Sequence, residues 1–256
     1  METNYQTIAK EARTKVLELI YKAQVSHIGS NFSAIDIMAV LFEKMDLDKD
    51  KFILSAGWKA AALYYFLWRK GRITEEELNS YCQPGSKFIG LSEPIHPDIF
   101  FAGGSMSMGL PAAVGFALAK KMKGEEGKIY VLMSDGELQC GTTWESTLIA
   151  AHHNLHNLVV IVDENKLQAM GEKNKILRSF FPSEEWGEWI IDGHDYIDIR
   201  HKLTLSEAVS IMQQPQVIIA HTIKGKGVSF MENNNLYHYK APSDEEYQLA
   251  MKELNG

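Results

Sequence analysis

The sequence is poor in cysteine, and its two cysteines, Cys82 and Cys140, lie far apart and form no Cys-Xaa-Xaa-Cys pattern. This gives no support for a disulfide framework and fits a reducing compartment, so we expect a cytoplasmic protein. No apolar run approaches the roughly 18 residues needed to cross a bilayer. The charged, amphipathic N-terminus also lacks the apolar segment of a secretory signal. We therefore expect neither membrane association nor export.

Positive charge is also scarce, since 26 Lys and Arg stand against 33 Asp and Glu, for a formal net charge of −7. Nucleic-acid binding rests on Lys and Arg contacts to phosphate, so this balance argues against a nucleic-acid partner. The sequence has no Pro-, Gly- or Ser-rich linker, no low-complexity tract and no clear internal repeat. Residues 1–256 are therefore predicted to form a single domain. No Gly-Xaa-Gly-Xaa-Xaa-Gly follows a predicted strand, which argues against a nicotinamide-dependent dehydrogenase.

Short β-branched runs alternate with stretches of helical apolar spacing along most of the chain. The predicted strands are residues 52–54, 129–133, 158–162, 189–191 and 217–221, and the predicted helices are 8–23, 33–45, 58–69, 110–123, 142–153 and 205–213. Loops are expected at 25–32, at 83–109 and up to about residue 186. Ser33 with Asp36, and Thr74 with Glu77, resemble capping boxes that open helices. The alternation predicts an α/β fold, a doubly wound and mostly parallel sheet with helices on both faces.

The stretch 129–171 is the most informative, because an Asp-Gly ends one predicted strand and an Asn follows the next. Loops leaving the carboxyl ends of parallel strands gather at one edge of the sheet, where doubly wound folds bind ligands. Asp135 and Asn165 are therefore expected to face each other across a crevice. Mg²⁺ prefers about six oxygen ligands and seldom takes them all from protein, which suits a site shared with a diphosphate. The same short sequences also occur as ordinary turns, and this alternative stays open.

Three further segments accompany this unit: residues 23–42, which contain His27; residues 51–57; and residues 221–242, which contain His238. In this order, the four segments resemble thiamine diphosphate enzymes and, more narrowly, the N-terminal subunit of split, two-chain transketolases. The resemblance covers nearly the whole chain. It implies the diphosphate-binding type of this fold, with thiamine diphosphate and Mg²⁺ (or Ca²⁺ or Mn²⁺) as cofactors. It also implies transfer of a two-carbon ketol unit from a ketose, as a phosphate or another anionic sugar, to an aldose.

The resemblance assigns metal ligands and cofactor contacts. The implied metal ligands are the side chains of Asp135 and Asn165 and the main-chain carbonyl of Leu167. The implied cofactor-binding residues are Trp58, Gly104, Ser105, Met106, Gly136, Glu137, Asn165 and His238. A glycine at position 136 would let the backbone approach a diphosphate without a Cβ in the way.

Three histidines are candidates for catalysis. His27 and His238 match family positions that line the substrate channel, and His96 matches a substrate-facing position more loosely. Histidine titrates near neutral pH, which suits proton transfer to and from sugar hydroxyls and carbonyls. An isolated histidine is often structural, so that alternative remains beside the catalytic one.

Four positions depart from the family pattern. Trp58 replaces a diphosphate-binding His, Met108 replaces a Gln, Cys140 replaces a Glu of the network between active sites, and Ser134 replaces the first Gly of Gly-Asp-Gly. The indole N–H of Trp58 can donate a hydrogen bond in place of the His, or its ring can narrow the pocket. These changes leave the implied metal ligands intact, and Trp58 and Met108 favour a specialised substrate.

The resemblance places the Glu that activates the cofactor on a following, pyrimidine-binding domain. Since the chain ends at Gly256, just after the first domain's signature, we expect it to need a C-terminal transketolase subunit, in an α₂β₂ assembly. Exposed apolar surface awaiting that partner is a further expectation. Two alternatives stay open: another thiamine diphosphate enzyme with a specialised sugar substrate, and a non-catalytic regulatory subunit. Cys140 and the lost His allow the second alternative, whereas the retained metal ligands and histidines oppose it.

Overall fold

A computed structural model of the protein describes residues 3–172, 181–182, 184–208 and 213–256. The described helices are α1 (Tyr5–Ala23), α2 (Ile28–Lys44), α3 (Ala60–Arg69), α4 (Glu75–Asn79), α5 (Gly109–Lys123), α6 (Gly141–His152), α7 (Tyr196–Ala208) and α8 (Asp244–Asn255). The described strands are β1 (Lys51–Leu54), β2 (Ile129–Ser134), β3 (Leu158–Glu164), β4 (Leu167–Gln168), β5 (Gly171–Glu172), β6 (Gly187–Asp192) and β7 (Gln216–His221). None of these helices is both long and apolar enough to span a bilayer.

The larger sheet has the order β1-β2-β3-β7-β6, and every neighbouring pair in it is parallel. Successive strand residues point to opposite faces. Tyr130 and Leu132 therefore join one buried apolar cluster, while Val131 and Met133 join the other. Residues of α1, α2, α3, α7 and α8 complete the first cluster, and residues of α5 and α6 complete the second. The predicted α/β architecture, a parallel sheet between two helical layers, is confirmed.

The start of α2 differs from the sequence-based expectation. The Ser33–Asp36 pattern predicts a helix that begins at residue 33, but α2 begins at Ile28, directly after His27 in a left-handed conformation with φ of 74°. Ser33 and Asp36 are thus interior helix residues. Ser33 donates a hydrogen bond of 2.5 Å to Asp163 on β3 instead of capping its own helix. The prediction of a capping box, and of a loop at 25–32, is wrong because a buried long-range partner uses this side chain.

The other predicted capping box is confirmed. The side chain of Thr74 accepts from the Glu77 amide, and the Glu77 carboxylate accepts from the Thr74 amide, at the start of α4.

The helix predicted at 205–213 is misplaced, because α7 begins at Tyr196 and buries Ile199 and Leu203. Of the predicted span, residues 209–212 lie outside the described residues. Helix α8 was not predicted.

Candidate functional site

A cavity of about 500 Å³ opens at the carboxyl-end edge of the parallel sheet. Loops that follow β1, β2, β3 and β7 contribute to its walls, which is where doubly wound folds bind ligands. Most of the predicted site residues line it, namely His27, Trp58, Gly104, Met106, Asp135, Gly136, Asn165, Leu167 and His238. The two segments that the sequence places at strand ends, around Asp135 and Asn165, therefore do meet in one site.

Three oxygen-bearing groups meet at this cavity. Asp135 directly follows β2, and its Oδ2 accepts a hydrogen bond of 2.8 Å from the amide of Lys166. Asn165 directly follows β3, and its Oδ1 accepts from the amide of Leu167 at 3.1 Å. Together with the Leu167 carbonyl, they form a set of carboxylate, amide and carbonyl oxygens of the kind that Mg²⁺ takes. Across the described ranges, no group of three His, Cys, Asp or Glu side chains is arranged to hold a metal ion.

A buried ion pair lies beneath Asn165. The Asp163 carboxylate accepts a hydrogen bond of 2.6 Å from the Lys59 ammonium, and the amide nitrogen of Asn165 lies 3.5 Å from the same oxygen. Burial acts to raise the pKa of Asp163, but the ammonium of Lys59 and the hydrogen bonds from Ser33 and Thr222 together hold that pKa below the usual range. With its nitrogen facing Asp163, the Asn165 amide turns its oxygen toward Leu167 and away from the pair.

A second lysine faces the histidines. The Lys224 ammonium lies 2.6 Å from Nδ1 of His238 and 3.4 Å from the Leu167 carbonyl oxygen. Burial first, and the charge of Lys59 second, lower the pKa of Lys224 to about 8. The sequence pattern predicts a role for neither lysine. Lys224 lies in a Lys-Gly-Lys-Gly stretch before the predicted His238, and this spacing is the available signal.

His27 and His238 are neighbours in the cavity wall. Their ring centroids are 5.2 Å apart, and the His27 amide donates to the His238 carbonyl at 3.0 Å. Burial and then the charge of Lys224 lower the pKa of each imidazole to about 4. Both rings are therefore neutral near pH 7, so each can accept a proton at one nitrogen and donate from the other.

Aromatic rings border the two histidines. The Trp58 ring is 6.3 Å from His27, and the Tyr239 ring is 5.7 Å from His27 and 4.6 Å from His238. Trp58 and Cys140, two departures from the family pattern, both line the cavity, as does the unpredicted Tyr239. The cavity wall thus places aromatic surface beside both histidines.

Two glycines leave room in the cavity wall. A Cβ on Gly104 would meet only the Leu91 side chain, at 3.8 Å, and one on Gly136 would come no closer than 3.5 Å to the tip of Met106. Side chains at these positions would therefore occupy cavity space rather than clash with the protein. The open backbone, the oxygen ligands and the lysines together suit a diphosphate with a divalent cation.

Three predicted site residues do not line the cavity as the described residues form it. Glu137 is completely buried beside it, where its carboxylate accepts from the amides of Ser107 at 2.8 Å and Ser134 at 2.6 Å. Burial raises the pKa of Glu137. His96 accepts instead from the Asp98 amide at 3.2 Å, and Ser105 is also outside the lining. The roles given to these three residues stay predictions, and the position of Glu137 is that of a support for the loop before α5.

Residues 4–255 match the family described as transketolase, thiamine diphosphate binding domain. One of the subunits of the apulose-4-phosphate transketolase of Actinobacillus succinogenes is 35% identical, over 96% of this chain and 94% of that protein. A 6-deoxy-6-sulfo-D-fructose transketolase subunit of Clostridium sp. is 32% identical, over 99% of this chain and 97% of that protein.

A solved structure agrees with these sequence matches. The transketolase of Campylobacter jejuni superposes with a TM-score of 0.91 at 28% identity, over 100% of this chain. The match covers 43% of that longer protein. The chain therefore belongs to the transketolase family, as its thiamine diphosphate-binding domain.

Proposed function

We propose that this chain, together with a partner subunit, transfers a two-carbon ketol unit from a ketose to an aldose. The observation that carries the proposal is the cavity that brings Asp135, Asn165 and Leu167 together with His27 and His238. The names of the relatives support a partner, since they are subunits of transketolases. We further propose that residues 1–256 act as one cofactor-binding domain.

The residues present suit the cofactor and a metal. Thiamine diphosphate, when bound, supplies the carbanion-stabilising chemistry that protein side chains lack. Asp135, Asn165 and the Leu167 carbonyl would hold Mg²⁺, or Ca²⁺ or Mn²⁺, because each offers an oxygen ligand and all three residues line the cavity. Gly136 offers an open backbone, and the ammonium of Lys224 would balance the negative charge of the diphosphate.

The histidines would handle protons on the sugar. Because His27 and His238 are neutral near pH 7, His27 can accept a proton from a sugar hydroxyl and His238 can donate one to a sugar oxygen. The tautomer of His238 is the better defined of the two, since its Nδ1 faces the Lys224 ammonium and therefore accepts a hydrogen bond from it. Its Nε2 then carries the hydrogen and is the donor. Trp58 and Tyr239 would limit the shape of the sugar that reaches these nitrogens.

The partner would complete the site. We propose a C-terminal transketolase subunit that supplies the pyrimidine-binding domain and the activating Glu, in an α₂β₂ assembly. Apolar side chains at the cavity are exposed, which supports a contact surface for another subunit there. They are Met106, 47% exposed, Met170, 92% exposed, and Tyr239, 65% exposed. The named relatives act on a sugar phosphate and a sulfo-sugar, so we propose a donor with an anionic end group. The cytoplasmic location stays a prediction.

The test is a calorimetric titration of thiamine diphosphate with saturating Mg²⁺ into this chain, alone and with the pyrimidine-domain subunit of its own source organism. We expect metal-dependent binding that strengthens with the partner and is lost in Asp135→Ala. Asp48→Ala is the matched control, because Asp48 pairs with Arg72 on the surface. If the wild-type chain binds no cofactor under either condition, the proposed transferase function is rejected and the non-catalytic alternative is favoured.

A further inference from the structure

A buried cluster centred on Asp36 lies outside the cavity. Asp36 is 2% exposed, and its two carboxylate oxygens accept from Nη1 and Nη2 of Arg13 at 3.0 and 2.6 Å. The same oxygens lie 2.6 Å from Nδ1 of His194 and 2.8 Å from the hydroxyl of Tyr196. One carboxylate therefore joins α1, α2 and the segment that opens α7.

The cluster also holds the outer side of residues 222–227, the segment after β7. Nε of Arg13 donates to the carbonyl of Lys226 at 2.8 Å, and Nε2 of His194 lies 2.8 Å from the amide nitrogen of Ile223. A backbone N–H can only donate, so Nε2 of His194 must be the acceptor. Its hydrogen then lies on Nδ1, which donates to Asp36. The two contacts together fix the imidazole in one neutral tautomer.

The inner side of the same segment carries Lys224 into the cavity, where its ammonium meets His238 and the Leu167 carbonyl. Lys224 stands between Ile223 and Lys226, which are the two positions that the Asp36 cluster holds. The amide of Gly225 adds a third tie, a hydrogen bond of 2.9 Å to Gly29 on α2. The backbone that presents the ammonium is thus anchored on both sides.

We propose that His194 is a positioning residue for cofactor binding: through the Ile223 amide, it holds the Lys224 ammonium where that charge would meet the diphosphate. The inference rests on the proposed function and deepens it, since His194 does not itself line the cavity formed by the described residues. The part of His194 that matters is the acceptor at Nε2. The donor at Nδ1 serves the stability of the cluster.

Two substitutions separate these two nitrogens. His194→Gln places an amide oxygen at the level of Nε2, which keeps an acceptor for Ile223 and gives up the bond to Asp36. His194→Asn places an amide nitrogen at the level of Nδ1, which keeps the donor to Asp36 and gives up the acceptor. With saturating Mg²⁺ and the partner subunit, we expect the Asn variant to bind thiamine diphosphate about tenfold more weakly, and the Gln variant to stay near wild type.

Tyr196→Phe is the matched control, because it removes another hydrogen bond to Asp36 and keeps the Arg13 and His194 groups that bind residues 222–227. It should lower the thermal midpoint of the cofactor-free protein and leave cofactor affinity unchanged. If His194 acts through Lys224, adding His194→Asn to Lys224→Met should weaken binding no further. Equal affinities of the Asn and Gln variants, or full additivity with Lys224→Met, would overturn the inference.

The outcomes also separate this inference from the proposed function. If the wild-type chain binds the cofactor but His194→Asn and His194→Gln do not differ in affinity as expected, only the role of His194 is rejected. If the wild-type chain with its partner does not bind, the proposed function itself fails. Should His194→Asn not fold, the Gln variant still decides, because a loss of affinity as large as that in Lys224→Met would contradict the role of the Nε2 acceptor.

Discussion

Lys59 and Asp163 form an ion pair of 2.6 Å in which neither side chain has any exposure to solvent. Lys59 also donates to the carbonyl of Ser30 at 2.9 Å, and Asp163 also accepts from the hydroxyls of Ser33, at 2.5 Å, and Thr222. The desolvation cost of such a pair can exceed its attraction, so stability alone does not explain it. The Asn165 amide lies against the pair and faces the cavity, so its orientation is the more direct consequence.

Removing one partner of this ion pair should destabilise the folded chain. In Lys59→Met, the Asp163 carboxylate remains buried without its counter-charge, and we expect the free energy of unfolding to fall by about 3–5 kcal/mol. Chemical denaturation of the cofactor-free chain measures this change. In Lys59→Met/Asp163→Asn, no buried charge remains and much of the loss should be recovered. If the double variant loses as much unfolding free energy as Lys59→Met and Asp163→Asn lose together, an unpaired buried charge is not the cause of the loss.

Trp58 should control which sugars the enzyme accepts. It lines the cavity at the level of His27, where its indole fills space that an imidazole would leave open. We expect Trp58→His to change the ratio of kcat/KM between a bulky and a compact ketose donor by about tenfold, because contacts of this kind in a pocket contribute about 1–3 kcal/mol. The measurement is a donor panel assayed with the partner subunit present.

The control for this substitution is Trp144→His, at an exposed position on α6 that does not line the cavity as described. It should leave the donor ratios unchanged. Unaltered donor ratios and unaltered cofactor affinity in Trp58→His would show that the indole has no part in choosing the substrate.

The sequence predicts the five strands of the larger sheet and the two main site positions, because both depend on local pattern. β2 and β3 are continuous apolar runs, and a polar residue just after each must lie at the sheet edge. Asp135 and Asn165 follow from this rule. Lys59 and Lys224 do not, because a lysine in a loop or short turn is usually solvated. Their burial depends on partners more than ten residues away in sequence, Asp163 and His238.

The misplaced start of α2 has the same physical origin. A Ser followed three residues later by Asp has the sequence of a cap, yet the structure uses Asp36 to pair with Arg13 of α1. Local pattern cannot reveal whether a polar side chain caps its own helix or binds a distant one. The cluster around His194 was therefore not predicted, although every member is visible in the sequence.

Acid should destabilise the cofactor-free protein through its two cavity histidines. His27 and His238 have a pKa of about 4 in the folded chain, against 6.5 as the ordinary value. Below pH 6.5 the unfolded chain therefore binds more protons, so their stabilising contribution is complete above pH 6.5 and is lost progressively as pH falls to about 4. Each proton contributes at most about 1.4 kcal/mol per pH unit, and less here because both rings are partly open to solvent.

Carboxylates in the folded chain also lower its stability as the pH falls. The contribution of one histidine is therefore the difference between the pH dependence of wild type and that of a variant without this histidine. His238→Gln removes one titrating group, so its unfolding free energy should fall less steeply than that of wild type between pH 6.5 and 4.5. Lys224→Met should raise both histidine pKa values, because the nearby positive charge is one cause of their lowering. The loss in acid should then be smaller and end at a higher pH, since the folded and unfolded pKa values lie closer together. Denaturant titrations at four pH values measure these slopes. A slope that is the same in wild type and His238→Gln would mean that folding does not lower the pKa of His238.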